Sequence, residues 1–154
     1  MSRPIRNSAK ALIIREGKMA AVRLREGDEE WYILPGGGQE AEELLPEAVC
    51  REVAEELGLL VEPVELAFVV EGRCGEPFHR VDLVFLCACK GELPNARLKA
   101  DTNQTGMDWL EIDSLDRAPL YPSRLRRQIM RLHRGEQHRV YLGNEEAGDP
   151  VCLD

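Results

Sequence analysis

The sequence lacks the features of membrane proteins, secreted proteins and proteins that bind metals through thiolates. Residues 1–10 contain no apolar core of a signal peptide, and no stretch of the chain approaches the roughly 18 apolar residues of a membrane-spanning helix. The five cysteines are odd in number and show none of the CxxC spacings of zinc or redox sites. We therefore expect a cytoplasmic protein with reduced thiols and no membrane partner.

Positive charge is also scarce. The chain has 20 Lys and Arg against 28 Asp and Glu, which gives a formal net charge of −8. Nonspecific binding to nucleic acid needs a basic surface that faces the phosphates, so the composition argues against nucleic acid as a partner. A phosphate-bearing small molecule would have to be held locally. The simplest local device in an acidic protein is a divalent cation between carboxylates and phosphates.

Internal repeats and linkers are absent as well, which indicates a simple domain organisation. With 154 residues and 44% hydrophobic residues, the chain can bury one sizeable core. We expect a single domain at residues 1–142, followed by a loosely ordered tail at residues 143–154.

Short apolar runs near the start of the chain predict β-strands. The first two are joined by the turn at residues 16–18 and are typical of a hairpin. A break follows at residues 35–38, because proline cannot donate to a strand ladder and glycine adopts conformations closed to other residues. We expect a loop there whose backbone can be approached closely. The predicted strands lie at residues 9–14, 19–24 and 31–34.

The pattern then changes to a helical period over residues 46–57. Val49, Val53 and Leu57 recur every four residues, and Gly58 suits the position just past a helix end. Later apolar runs complete a mixed sheet with helices. They predict strands at residues 64–70, 81–89 and 107–112 and a second helix at about residues 123–134.

Negative charge is concentrated on the first predicted helix. Glu52, Glu55 and Glu56 are separated by three and four residues, which places them within an arc of roughly 100°. Like charges at this spacing repel by about 0.2–0.5 kcal/mol, and anions oppose the helix dipole at its C-terminus. Two interpretations are open at this point: a solvated face of good helix formers, or a set of oxygen ligands for Mg²⁺ or Mn²⁺.

The spacing of these residues is informative. Five residues separate Gly37 from Glu43, and seven more lead to the run Arg-Glu-Val-Ala-Glu-Glu-Leu-Gly-Leu at residues 51–59. This arrangement resembles the Nudix box, GX5EX7REUXEEXGU with U an aliphatic residue, and every defined position matches. A chance match has a probability on the order of 10⁻⁶ to 10⁻⁵ for this composition. The preceding residues 31–37 are similar to the lead-in usual in that family.

The resemblance implies an α/β fold, namely a Nudix-type α/β/α sandwich with a mixed central β-sheet. It also implies a nucleotide diphosphohydrolase, or pyrophosphatase, that depends on Mg²⁺ or Mn²⁺ and cleaves a diphosphate linkage in a nucleotide-like small molecule. Nucleoside triphosphates and ADP-sugars are the leading substrate types. The alternative is a non-catalytic Nudix-fold nucleotide sensor or binding module. Homodimers are common in the family, so a homodimer is also an open expectation.

Roles follow for the residues that match the box. Glu52, Glu55 and Glu56 would be catalytic and would bind the metal, with the backbone carbonyl of Gly36 as a further ligand. A metal-activated water would attack phosphorus, and a carboxylate would take its proton. Many family members supply another ligand or base from a later loop, where this chain offers Asp101, Asn103 and Gln104.

Other box positions would be structural. The resemblance implies that Glu43 and Arg51 form an ion pair that fixes the loop against the helix. Gly37 and Gly58 would permit backbone turns. The chain departs from a usual helix start at Leu45, because leucine cannot cap an N-terminus as Ser, Thr or Asp does. We expect that helix end to be held differently.

Candidate substrate contacts are the least defined part of the prediction. Arg23 and Arg25 share one face of a strand and could contact phosphates, although solvated edge charges are an equal alternative. Phe78 and His79 follow a polar loop and could stack on a base. Each of these two is also a reasonable packing residue. Other aromatic candidates for the same role are Tyr32 and Tyr121.

Overall fold

The secondary structure consists of eight strands, two α-helices and a 3₁₀-helix in the part of the chain that the structure describes. The computed structural model describes residues 3–94, 98 and 103–145. In chain order the elements are β1 (Ile5–Arg15), β2 (Lys18–Glu26), β3 (Glu29–Ile33), β4 (Gly36–Gly38), α1 (Leu45–Leu57), β5 (Leu59–Gly72), β6 (His79–Glu92), β7 (Gln104–Glu111), the 3₁₀-helix (Ile112–Arg117), α2 (Leu125–His133) and β8 (Tyr141–Asn144).

The strands form one mixed sheet, as the sequence predicts. Its order is β3-β2-β1-β6-β5-β8, with β4 paired to β1 and β7 paired to β2. The long central pair, β1 and β6, is parallel, whereas β5 and β6 are antiparallel. The other edge of β1 is shared: its middle pairs with β4 and its end pairs with β2. The glycine strand therefore lies directly beside the centre of the sheet.

The two faces of the sheet carry separate cores. Ala9 and Ile13 of β1 are fully buried in a cluster that includes Val53 of α1. Leu12 points to the opposite face and is fully buried in a cluster that includes Ile129 of α2. Burying such a side chain stabilises the fold by about 1.5–3 kcal/mol, so each helix is anchored on its own side of the sheet. This arrangement confirms the predicted α/β/α sandwich.

Helix α1 begins at Leu45, one residue before the predicted start, ends at Leu57 as predicted, and has an unusual N-terminus. Leu44 has no side-chain oxygen to cap the helix, and instead its N–H donates to the carboxylate of Glu47 at 3.0 Å. At the other end Gly58 adopts a left-handed conformation with φ of 64° and donates to the carbonyl of Ala54. The prediction that the first turn is held differently is confirmed.

The predicted loop at residues 35–38 is wrong for its three glycines. They form β4, in which Gly36, Gly37 and Gly38 lie opposite Lys10, Ala9 and Ser8 of β1 in antiparallel register. The backbones of β4 and β1 approach each other too closely for a side chain at this point. A Cβ on Gly36 would lie 2.2 Å from the carbonyl oxygen of Ala9. Residues without side chains can therefore pair where bulkier ones could not.

Other predicted strands differ from the observed ones in where they begin and end. The strands predicted at residues 64–70 and 81–89 are central parts of the longer β5 and β6. Strand β8 reaches Asn144, within the first residues of the predicted tail. Residues 146–154, including the fifth cysteine, lie outside the described part. Among the described residues, Cys50, Cys74, Cys87 and Cys89 form no disulfide bond. Within residues 3–94, 98 and 103–145, no helix has the length and apolarity that crossing a membrane requires.

Candidate active site

Three glutamates of α1 line one cavity together with the glycine strand. Glu52, Glu55 and Glu56 face β4, and Gln104 at the start of β7 completes the lining. The cavity has a volume of about 300 Å³. The spacing of three and four residues thus brings the carboxylates together, as helical geometry predicts.

Glu56 is held by hydrogen bonds from two strands. It accepts hydrogen bonds from the N–H of Gly36 at 2.7 Å and from the side-chain amide of Gln104 at 3.0 Å. Burial raises the pKa of the Glu56 carboxyl, and the Gly36 hydrogen bond and the positive charge of Lys10 oppose that rise. Contacts from β4 and β7 therefore hold this carboxylate in a fixed position inside the cavity.

Glu52 lies against the backbone of Gly37. A Cβ added to Gly37 would come within 2.6 Å of the Glu52 carboxylate, closer than any ordinary contact. The absence of a side chain at this position is therefore a requirement for the placement of Glu52.

Arg51 ties the loop, the strand and the helix together. Its guanidinium donates two hydrogen bonds to Glu43, at 2.7 and 2.9 Å, and a third to the carbonyl of Gly38 at 3.0 Å. It also contacts Glu52 at 2.8 Å and Glu55 at 3.5 Å. The bidentate contact is the predicted structural ion pair. The same positive charge offsets the repulsion between neighbouring carboxylates of α1.

The ion pair changes the protonation behaviour of Glu43. The hydrogen bonds from Arg51, with a further contribution from the backbone of Glu40, lower the pKa of Glu43 from 4.5 to about 2. Glu43 therefore stays ionised through the acidic range and keeps its hold on Arg51.

A second cavity adjoins the first on the α2 side of the sheet. Its volume is about 290 Å³, and Gly36, Gly37 and Gln104 belong to the walls of both cavities. Phe78, from the loop before β6, and Tyr121, from the segment before α2, supply aromatic surface. The two cavities are therefore neighbours, and we call the first the carboxylate end and the second the aromatic end of the candidate site.

A charged network forms the floor of the second cavity. Arg80 donates to both carboxylate oxygens of Asp82, at 2.9 and 3.0 Å, and to the carboxylates of Glu76 and Glu145. Burial raises the pKa of the Asp82 carboxyl, and the charges of Lys10 and Arg80 oppose this effect. Each nitrogen of the Arg80 guanidinium thus donates to a carboxylate.

Comparison with known proteins agrees with this arrangement. A family model described as the NUDIX domain matches residues 4–132. The chain belongs to the NUDIX domain family. The match spans every element from β1 to α2, and it identifies the protein as a Nudix hydrolase.

Solved structures of Nudix proteins share the fold. A NUDIX hydrolase from Nitrosomonas europaea has a TM-score of 0.70 at 23% identity, over 88% of this chain and 93% of that chain. A MutT NUDIX hydrolase from Burkholderia pseudomallei has a TM-score of 0.62 at 28% identity, over 79% and 95%. An ADP-ribose pyrophosphatase from Streptococcus suis 89-1591 has a TM-score of 0.65 at 21% identity, over 88% and 97%. Among curated proteins there is no significant match.

The donor set of this Nudix hydrolase fits a hard divalent cation. Three carboxylates face one cavity, and oxygen ligands are those that Mg²⁺ and Mn²⁺ prefer. Within the described residues, no three His, Cys, Asp or Glu side chains are grouped closely enough to enclose an ion. Arg51 holds Glu52 and Glu55, and Gly36 and Gln104 hold Glu56. Small side-chain rotations would therefore accompany metal binding.

The predicted substrate contacts lie in different places. Phe78 lines the second cavity and is covered on one side by Arg6, whose guanidinium lies 5.2 Å from the ring centre. His79 points elsewhere and bonds Glu71 at 2.8 Å. Neither Arg23 nor Arg25 lines the two cavities. Their guanidiniums bond Asp108 at 2.7 Å and the carbonyl of Gly27 at 3.2 Å, respectively.

The structure adds residues to the site that the sequence did not single out. Lys10 of β1 and Arg80 and Asp82 of β6 line the second cavity. Lys10 and Asp82 could have been suspected from the sequence, because each is a charged residue within an otherwise apolar strand. Gln104 lies in the later segment where a further ligand was expected, whereas Asp101 lies outside the described residues.

Proposed function

We propose that this Nudix hydrolase cleaves a diphosphate linkage in a nucleoside-diphosphate-linked substrate, with Mg²⁺ or Mn²⁺ as cofactor. The observation that carries the proposal is the shared wall of the two cavities. Gly36, Gly37 and Gln104 line both the carboxylate end and the aromatic end, so a diphosphate that passes over these residues would place its linkage beside Glu52 and Glu56. Nucleoside triphosphates and ADP-sugars have this layout.

In this proposal the box residues hold the metal. Glu52, Glu55 and Glu56 supply carboxylate oxygens, and the carbonyl of Gly36 is the further ligand. An ion held there would supply positive charge to the phosphates and would lower the pKa of the water that attacks phosphorus. One of the box carboxylates accepts the proton of that water. Gly37 leaves room for Glu52. Arg51 balances the negative charge of Glu52 and Glu55 when no ion is bound, and a bound ion would take over this part.

The aromatic end would hold the nucleoside. Its volume of about 290 Å³ is at the lower end of the range for small-molecule sites, roughly 300–1,000 Å³, and suits a single nucleoside-sized group. Phe78 and Tyr121 offer ring surface for stacking on a base. Arg23, Arg25 and His79 would act on the substrate only through contacts outside the two cavities.

The first experiment is a hydrolysis panel. Nucleoside triphosphates, ADP-ribose, UDP-sugars, dinucleoside polyphosphates and NADH are incubated with Mg²⁺ or Mn²⁺, and phosphate and nucleotide release are measured, with EDTA as the control. Metal-dependent cleavage of one class supports the proposal and names the substrate. Stoichiometric nucleotide binding without turnover would favour the non-catalytic sensor.

Matched variants test the residues. Glu55→Gln and Glu56→Gln should lower kcat by roughly a hundredfold or more, because each removes one ligand charge at the reacting phosphate. The fold should remain, since both changes remove repulsion on α1. Glu62→Gln, an exposed change of the same charge, is the control and should leave kcat unchanged. Full activity in both box variants would contradict the site assignment.

A further inference from the structure

Lys10 lies where the two cavities meet. Its neighbours in β1, Ala9 and Ala11, are fully buried on the α1 side, so the lysine projects to the opposite face. It lies opposite Gly36 in the β1–β4 pair and opposite Val84 in the β1–β6 pair. A Cβ on Gly36 would lie 2.9 Å from Cδ of Lys10. The missing side chain of Gly36 therefore makes room for the lysine stem to enter the second cavity.

Lys10 differs from the arginines near it in how its charge is used. Arg80 is bound by three carboxylates, and Arg51 is bound by the glutamates of the box. Among residues 3–94, 98 and 103–145, the lysines that form salt bridges are Lys18 and Lys90, and Lys10 is not one of them. Its ammonium group, which carries three donors, is therefore available to a ligand.

Lys10 is close to both cavities. It lines the second cavity, and it lies opposite Gly36 of β4. The N–H of Gly36 donates to the carboxylate of Glu56 in the first cavity. Lys10 therefore lies close to the boundary between the two cavities. The boundary is the glycine wall on which its stem packs.

An anionic substrate needs such a cation at this boundary. The second cavity is also lined by Glu76, Asp82 and Glu145, and these carboxylates repel phosphate. Arg80 is less suited to this role, because each of its three guanidinium nitrogens already donates to one of these carboxylates. Lys10 is therefore the better placed of the two cationic side chains that line the second cavity to attract a phosphate.

We propose that Lys10 binds the phosphate attached to the nucleoside and holds it between the aromatic cavity and the box carboxylates. The proposal rests on the proposed function, since it takes the nucleoside to lie at the aromatic end and the scissile linkage at the carboxylate end. The phosphate next to the nucleoside would then lie beside Gly36 and Gly37, where the two cavities meet. Lys10 fixes the register of the substrate, so that the following linkage faces Glu52, Glu55 and Glu56.

Ligand binding without metal tests this role directly. Binding of adenosine, AMP, guanosine and GMP is measured by calorimetry in EDTA for the wild-type chain and Lys10→Met. Methionine keeps a similar length and removes the charge. The loss of a charge-assisted contact should weaken binding of the monophosphates by roughly tenfold or more, with nucleoside binding unchanged. Lys10→Arg should retain most of the preference for the monophosphates.

The control is Lys90→Met, which removes an exposed lysine that pairs with Glu62 on the surface. It should not alter either kind of binding. Thermal melting shows whether each variant is folded, and Lys10→Gln serves if Lys10→Met does not fold. If Lys10 had only a structural role, Lys10→Met would weaken the binding of nucleosides and monophosphates equally. That result, or a wild-type chain that does not prefer AMP or GMP to its nucleoside, would overturn the proposal.

Turnover separates this proposal from the proposed function. If the wild-type chain hydrolyses a substrate of the panel, Lys10→Met should raise KM more than it lowers kcat, because the contact exists before and during the reaction. A chain that prefers monophosphates through Lys10 but cleaves nothing would refute only the proposed function. Turnover with unchanged monophosphate binding in Lys10→Met would refute only the role of Lys10.

Discussion

Gly37→Ala is the sharpest test of the active-site geometry. Gly37 does not adopt a positive φ, so alanine fits the backbone and the effect is purely steric. The new Cβ would lie 2.6 Å from the carboxylate of Glu52, and an ordinary contact begins at 3.4 Å. The carboxylate must therefore retreat by about 0.8 Å, the difference between these two distances.

A displacement of this size should lower kcat and leave the stability of the fold nearly unchanged. Misplacing a reacting or ligating group by about 1 Å can cost on the order of a hundredfold in rate, so kcat should fall by about that factor. The end of a glutamate side chain can move, and Gly→Ala changes stabilise by about 0.4–1 kcal/mol through the unfolded chain. The melting temperature should consequently change little.

The control for this test is the next residue of β4. A Cβ on Gly38 meets nothing within 4 Å, and Gly38→Ala should leave kcat and the dependence on Mg²⁺ concentration unchanged. The measurements are kcat across a Mg²⁺ titration and a thermal melt for each variant. Wild-type kcat in Gly37→Ala, or an equal loss in Gly38→Ala, would refute the argument that Glu52 needs the space above Gly37.

Two further predictions concern stability. Glu43 has a pKa lowered from 4.5 to about 2, so its stabilising effect is present above pH 4.5 and is lost as pH falls toward 2. Glu43→Gln should lower the free energy of unfolding at pH 7 and flatten its acid dependence, as measured by urea titrations at pH 7 and pH 3; unchanged curves would contradict the ion-pair assignment. Phe68→Ala should cost about 3–5 kcal/mol because the side chain is fully buried. The half-exposed Leu66→Ala should cost far less, and comparable losses in urea would show that the core is misassigned.

The parts of the fold that depend on local patterns could be predicted from the sequence. Helix α1 follows from a period of four residues and from Gly58, both of which act within a few residues. Strand β4 could not be predicted, because three glycines favour a loop until β1 offers an edge for pairing. The same applies to β8, whose pairing with β5 joins residues about seventy positions apart.

The candidate site divides in the same way. Glu52, Glu55 and Glu56 lie on one helix, so their spacing alone brings them together. Lys10 and Asp82 meet because β1 and β6 pair in parallel, a long-range contact that neither strand reveals on its own. Arg23 was predicted from its position on β2, but β7 pairs with that strand and presents Asp108 to it. Local spacing therefore predicts the carboxylate end better than the aromatic end.

The glycine wall between the two cavities separates two parts of the chain that can change independently. The carboxylate side is built from β4 and α1, whereas the aromatic side is built from β1, β6, the loop before β6 and the segment before α2. A substitution at Phe78, Arg80 or Tyr121 changes the shape and charge of the aromatic end without touching a residue of the box. The two cavities share few residues, so the sequence around the aromatic end can vary while the packing of α1 against β4 is kept.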